Sequence, residues 1–239
     1  MKIASVCTVY NEARFLPKHL EHMPGWVEEQ LVLVSAKPWY GEEQPDDGSA
    51  AIAKNMGATV LVYPWANEVD QRNAGQEFLS DYDWILNLEP DEFLSDDDWK
   101  KLHKFLVKAK DHPAYAIKQR IFWGHGMESD PPEDFVPIIA TRPTVRFVEK
   151  RVIDSGWATM PDDIKLLHFA WARTDAEIWK KISHYSHAVD FDIDKWYKEV
   201  WLGRRTTNVH PTTPEAIPRL IKAVLPPEID ALDLWPPES

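Results

Sequence analysis

Two hydrophobic periods alternate along the first 110 residues. Short apolar runs occupy Lys2 to Val9, "EQLVLVSA", "ATVLVYPW" and "DWILNLE". Each has the length and β-branched content of a buried strand. Between them the spacing becomes helical. "YNEARFLPKHLEHM" sets Phe15, Leu16 and Leu20 on one face, with Asn11 as candidate cap. "SAAIAKNMG" reads as a helix stopped by Gly57, and "EVDQRNAGQEFLSDY" as a further helix. "SDDDWKKLHKFLVKAK" is amphipathic, and Ser95 and the following aspartates suit its positive N-terminal end. The order β-α-β-α-β-α-β-α predicts an α/β fold with a mostly parallel sheet flanked by helices. Ligands of such sheets gather at the carboxyl ends of the strands, where "TVYNE" and a cluster of acids both fall.

The pattern changes after residue 113. "AYAIKQRIFWG" and "TVRFVEKRVIDSG" read as strands, separated by the polar, Pro-rich loop "HGMESDPPEDFVP". "IKLLHFAWAR" fits either a strand or a helix. "TDAEIWKKISHYSHAV" opens with a capping box, Thr174 to Glu177, and reads as a helix. The Pro-rich end holds a candidate helix at "TPEAIPRLIKAVL". Residues 1–112 therefore form an α/β half, and residues 113–239 a smaller antiparallel and helical part. With no Gly/Ser-rich linker between them, one continuous domain is expected.

Composition narrows the partners. The 239 residues are 44% hydrophobic, enough for a substantial core, and carry a net charge of −12. No long basic stripe is present, which disfavours nucleic acid as the main partner. Cys7 is the single cysteine, so no intramolecular disulfide forms, and its strand setting suits a small core residue. The N-terminus turns polar too early for a signal peptide. No apolar stretch approaches the ~18 residues of a membrane-spanning helix. The expectation is a cytoplasmic protein without a transmembrane segment, with peripheral membrane contact left open.

The chemistry starts at "ILNLEPDEFLS", residues 85–95, where an apolar run ends in Glu89, Asp91 and Glu92. In an extended chain Glu89 and Asp91 point to the same side, and Pro90 marks the strand end. Two readings fit: a solvated turn leading into an acid-capped helix, or a site for a hard cation such as Mg²⁺ or Mn²⁺ that bridges to phosphates. "TVYNE", Thr8 to Glu12, ends the first strand. "VDQRNAG" brings Gln71, Arg72 and Asn73 to a helix start, a position suited to phosphate or ribose. His168, in "LLHFAWAR", is either a core histidine or a further metal ligand.

The order of these motifs resembles family 2 glycosyltransferases of the GT-A (Rossmann-like) fold. The likeness runs through "SVCTVYNEARFL", "DDGSAAIAKNMGATVLVYPWANEVDQRNAG" and "DYDWILNLEPDEFLS", and more loosely through "TRPTVRFV" and "LLHFAWAR". It implies a metal-dependent, inverting transfer of a sugar from a nucleotide-diphosphate sugar, such as a UDP- or GDP-sugar, to an acceptor hydroxyl. That hydroxyl would sit on a glycan, a lipid-linked sugar or another acceptor. Residues 1–112 would bind the donor and residues 113–239 the acceptor. The resemblance assigns Thr8, Tyr10 and Glu12 to the base and ribose, and Gln71, Arg72 and Asn73 to the nucleotide or its diphosphate. Glu89 and Asp91 would be the two ends of a D-x-D motif, with Asp91 the direct ligand of Mn²⁺ or Mg²⁺. His168 would approach the metal or diphosphate from the C-terminal half.

Two departures stand out. Glu89 replaces an Asp, and strand two ends in "VSAKP" where the family often has an Asp for the base. "DDGS" follows about ten residues later, so Asp46 or Asp47 would act from a displaced position. The acceptor hydroxyl needs a nearby base; Asp130, Glu133, Asp134, Asp162 and Asp163 are the candidates. Trp123 and Trp157 could stack on a sugar face. The rival functions are a nucleotidyltransferase acting on a sugar phosphate and a non-catalytic nucleotide-sugar-binding protein. The first is weakened by the lack of a Gly-rich, basic loop after strand one; the second draws on "VSAKP".

Overall fold

A computed structural model describes residues 1–203 and 219–237. The first strand, β1 (Ile3–Val9), is buried along its whole length. It is followed by α1 (Leu16–Glu21), β2 (Glu29–Ser35), α2 (Ser49–Asn55), β3 (Thr59–Tyr63), α3 (Glu68–Phe78) and β4 (Trp84–Asn87). β1 pairs in parallel with both β2 and β4, and β2 with β3. The alternating order read from the sequence is therefore the order in the fold.

Strand periodicity sorts the side chains between two faces. Ala4 and Val6 of β1, with Leu31 and Leu33 of β2, pack on the face that also holds Leu79 and Ala74. Cys7 and Val9, with Val32 and Val34, pack against Leu16 and Leu20 of α1 and Ala53 of α2. Each of the valine and leucine side chains contributes about 1.5–3 kcal/mol when fully buried. α3 lies so close to β1 that a Cβ on Gly75 would stand 2.7 Å from Val6 Cγ2. Only glycine fits that approach. Burial also pushes the Cys7 thiol up, as a core residue requires.

The chain continues through the two-residue β5 (Glu92–Phe93) and α4 (Asp96–Lys108), capped by Ser95 and started by Asp96, Asp97 and Asp98. "AYAIKQRIFWG" is not one strand. It breaks into β6 (Ala114–Ala116) and β7 (Lys118–Trp123), which belong to different sheets. The expected Pro-rich loop contains β8 (Met127–Asp130), and β9 (Ile138–Thr141) follows. β10 (Phe147–Glu149) and β11 (Val152–Ile153) form a hairpin. β12 (Ala158–Thr159) precedes β13 (Lys165–Trp171), which settles "IKLLHFAWAR" as a strand. α5 (Asp175–His184) carries the expected capping box.

Two corrections concern helices. Asn11 does not cap α1; the cap position is Phe15. Asn11 instead adopts a left-handed φ of 55° and ties itself to the Asp47 amide and the Pro45 carbonyl. The expected C-terminal helix falls partly outside the described residues, and its remainder, Arg219–Lys222, is a strand, β14.

The larger sheet runs β12-β6-β9-β4-β1-β2-β3, parallel except around β9. The smaller runs β14-β8-β7-β13-β5. β5, directly after the acid cluster, is antiparallel to β13, with His168 opposite Glu92. This pairing carries a histidine from the second half of the chain to the carboxyl end of β4. Among the described residues no helix is long and apolar enough to cross a membrane.

Candidate active site

A cavity of about 750 Å³ opens at the carboxyl ends of β1 and β4. Thr8, Tyr10, Glu12, Asp47, Arg72, Glu89, Asp91, Glu133 and His168 all line it. Its floor is a chain of buried ion pairs.

Glu89 accepts from Thr8 Oγ1 at 2.9 Å, from Arg151 at 3.3 Å and from Arg72. Arg72 also holds Glu68, one helical turn earlier, at 2.7 Å. Glu92 takes both guanidinium ends of Arg151, at 2.7 and 2.8 Å, and accepts the Glu89 backbone N–H at 2.9 Å. It thus pins the acid turn from below. Asp91 Oδ2 accepts from Lys181 Nζ at 2.7 Å and from Arg173 at 2.8 Å. Arg173 also holds both oxygens of Glu12, at 3.0 and 3.1 Å.

The electrostatics follow from burial set against pairing. Burial pushes the Asp91 carboxyl up, but Lys181, His168 and Arg173 together hold it well below its ordinary range. Glu12 goes the other way: its burial outweighs Arg173, and its carboxyl is raised. Burial opposes the charge of Arg72 and Arg151, yet the carboxylates around each of them raise both guanidinium groups. Five carboxylates (Glu12, Glu68, Glu89, Asp91, Glu92) face four protein cations (Arg72, Arg151, Arg173, Lys181) in this network. One negative charge is left over.

Gln119 donates from Nε2 to the Phe135 carbonyl at 3.2 Å, so its Oε1 is turned toward His168 Nδ1 at 3.1 Å. His168 Nε2 stands 3.5 Å from Asp91 Oδ1. Among the described residues, no three His, Cys, Asp or Glu side chains are arranged to hold a metal ion. A divalent ion here would have Asp91 and His168 as its protein ligands and would complete its shell with water and phosphate.

The other expected residues divide sharply. Tyr10 accepts the Gln44 amide at its hydroxyl. Asp47 accepts the Ser49 amide and hydroxyl at the start of α2, and the Ala13 amide at 2.8 Å, which fixes the loop after β1. Gln71 is fully buried, holding the Leu33 carbonyl and accepting from Trp39 Nε1 at 3.0 Å. Asn73 braces Phe147 of β10 through both its amide groups. Neither Gln71 nor Asn73 lines the cavity. Of the base candidates only Glu133 lines it. Asp130 pairs with Arg219 of β14, Asp162 with Lys118 and Asp163 with Lys101, and Asp134 lies off the lining. Trp123 is 1% exposed and stacked on Trp171 and Trp201, so no sugar reaches it; Trp157 lies outside the cavity.

Several lining residues escaped the sequence reading: Trp39, Arg151, Arg173, Lys181 and Trp171. The excess of acids was the available signal, because buried carboxylates require cations. Nothing in the sequence said which basic residues would supply them.

Comparison with known proteins gives a partial likeness. No family model matches the chain. An uncharacterized glycosyltransferase of Rickettsia felis is 33% identical over 94 residues, covering 39% of this chain and 30% of that protein. One from Rickettsia bellii is 29% identical over the same length, covering 29% of its own chain. The matched segment thus spans less than a third of these relatives. Among solved structures, the 4-diphosphocytidyl-2C-methyl-D-erythritol synthase of Anaerococcus prevotii has a TM-score of 0.42 at 12% identity, covering 71% of this chain and 88% of that one. A cytidylyltransferase of Leptospira borgpetersenii has a TM-score of 0.37 at 18% identity, covering 48% and 53%.

Proposed function

We propose that this chain is a glycosyltransferase of the family 2, GT-A type, moving a sugar from a nucleoside-diphosphate sugar to an acceptor hydroxyl with inversion. The carrying observation is the convergence of Thr8, Glu12, Arg72, Glu89, Asp91 and His168 on one cavity. These residues come from sequence positions as far apart as 8 and 168. The glycosyltransferase names of the Rickettsia relatives support the same class.

The residues divide the work. Asp91 and His168 would hold Mn²⁺ or Mg²⁺, which when bound supplies Lewis-acid stabilisation of the departing diphosphate. Glu89, kept in place by Thr8, Arg72 and Arg151, presents its carboxylate to the ribose hydroxyls. Trp39, its N–H held by Gln71, offers a fixed aromatic face to the base at the site where strand two lacks the family's acid. Glu133 takes the proton from the acceptor hydroxyl as that oxygen attacks the anomeric carbon. The bond to the diphosphate breaks on the opposite face, so a single displacement inverts the centre.

A panel of UDP- and GDP-sugars incubated with Mn²⁺ tests this reading. Release of the nucleoside diphosphate with sugar transfer or slow hydrolysis is expected. Pyrophosphate release from a nucleoside triphosphate would point to the nucleotidyltransferase instead. Nucleotide-sugar binding without turnover would point to a binding protein.

A further inference from the structure

Phe135 is 59% exposed, yet it stands on the lining of the cavity. Of the Phe, Tyr and Trp side chains on that lining among the described residues, it alone is exposed; Tyr10, Trp39, Trp171 and Tyr185 are half-buried. Its backbone is held in place. The Phe135 carbonyl accepts from Gln119 Nε2 at 3.2 Å, and two residues on the Pro137 carbonyl accepts the Ile117 amide at 3.0 Å. Gln119 is 2% exposed, and its Oε1 stands 3.1 Å from His168 Nδ1. One buried side chain therefore ties the backbone of Phe135 to the histidine beside Asp91. The ring belongs to this end of the cavity and not to a loose loop tip.

The chemistry beside the ring decides what covers it. Glu133, two residues earlier in the same segment, also lines the cavity. A hydrocarbon chain laid over Phe135 would draw that carboxylate out of water and offer it no donor, which is costly. A sugar ring suits both residues. Its C–H face packs on the flat phenyl ring, and its hydroxyls donate to the carboxylate. Trp123 and Trp157, the tryptophans considered for this role, are respectively buried in a stack and outside the cavity. We propose that Phe135 is the platform of a saccharide subsite, and that the acceptor is a sugar lying on this ring with one hydroxyl directed at Glu133. Its role as acceptor rests on the transferase reading above; the subsite itself does not.

The test is saturation-transfer NMR on the full chain. The probes are the methyl glycosides of glucose, galactose, mannose and N-acetylglucosamine, their disaccharides, and octyl glucoside. Wild type is expected to pass saturation to the ring C–H protons of at least one methyl glycoside or disaccharide. Phe135→Ala is expected to bind that probe about three- to tenfold more weakly, the loss of one stacking contact, and Phe135→Tyr to retain it. Phe135→Leu, apolar but without a flat face, carries the same expectation should the alanine variant fail to fold. Trp157→Ala removes an exposed ring outside the cavity and should leave saccharide binding as in wild type. No saccharide response from wild type, or equal affinity in wild type and Phe135→Ala, overturns the proposal. So does binding of octyl glucoside alone with saturation confined to its octyl chain, which would mark an apolar ligand. UDP and GDP affinity, read separately by calorimetry, tests the transferase reading. Its failure with saccharide binding retained leaves the subsite standing and removes only the acceptor role.

Discussion

His168 Nε2 and Asp91 Oδ1 face each other at 3.5 Å across the β5–β13 pairing. The two residues are joined by nothing local. The contact exists because β5, two residues long, follows the acid turn directly and pairs with the strand that carries His168. Gln119, on the neighbouring β7, then sets the histidine's outer nitrogen. Gln119→Leu is expected to release that orientation. It should weaken Mn²⁺-dependent nucleotide binding about tenfold or more, as loss of a ligand's supporting hydrogen bond does, while leaving the fold intact by circular dichroism.

Arg72 is 4% exposed between Glu68 and Glu89. Removing it takes the paired cation from Glu68 and one of two cations from Glu89. Arg72→Leu should cost about 3–5 kcal/mol of stability, measured by urea unfolding, as well as donor binding. Lys101→Ala is the contrasting case. Its pairs with Asp97 and Asp163 are exposed, and the unfolding midpoint should hardly move.

His19 makes stability depend on pH. Burial holds this side chain at about 4, against an ordinary 6.5, while its Nδ1 stays 3.2 Å from the Glu92 carbonyl. The unfolded chain therefore takes up a proton that the folded chain refuses. The contribution is complete above pH 6.5 and is lost as pH falls toward 4, amounting to about 3 kcal/mol across that window. Glu12, raised in the fold, works in the opposite sense above its ordinary range. The comparison that isolates His19 is wild type against His19→Gln between pH 4.5 and 6.5. The variant should show a markedly flatter stability curve in urea.

Under the proposed function, Trp39 would take the place of the acid that strand two lacks. Trp39→Ala should weaken UDP or GDP binding by about 1–3 kcal/mol if the ring carries the base, read by calorimetry. Gln71→Leu, which frees the indole N–H, should give a smaller loss in the same direction. Equal affinity in both variants and wild type would remove Trp39 from the donor site.

Glu133→Gln separates chemistry from binding. Turnover should fall by about 10²–10⁴ with donor affinity unchanged. Asp162→Asn and Asp163→Asn, which alter surface pairs with Lys118 and Lys101, should leave turnover near wild type.

Strand and helix order were legible because they depend on local periodicity, and β1 to α4 follow it closely. The break at Ile117 was not, because "AYAIKQRIFWG" is continuous in hydrophobicity and only the tertiary arrangement sends β6 and β7 to different sheets. Thr8, Glu89, Asp91 and His168 were legible through motif order. Gln71 and Asn73 share that motif, yet the turn of α3 points only Arg72 into the cavity. Their amides became braces. Arg151, Arg173 and Lys181 were illegible because each reaches a carboxylate 59 to 90 positions away. No motif in the sequence marks these three basic residues as partners of the acids.

The proposed function requires Asp91 and His168 to hold a divalent ion that binds a nucleoside diphosphate in this cavity. It is tested by calorimetric titration of UDP and of GDP, with Mn²⁺ and then with chelator, into wild type and Asp91→Asn. One of the two nucleotides is expected to bind wild type in Mn²⁺ and to lose at least about tenfold in affinity on chelation and again in Asp91→Asn. Equal nucleotide affinity in wild type and Asp91→Asn, unmoved by chelator, would contradict it.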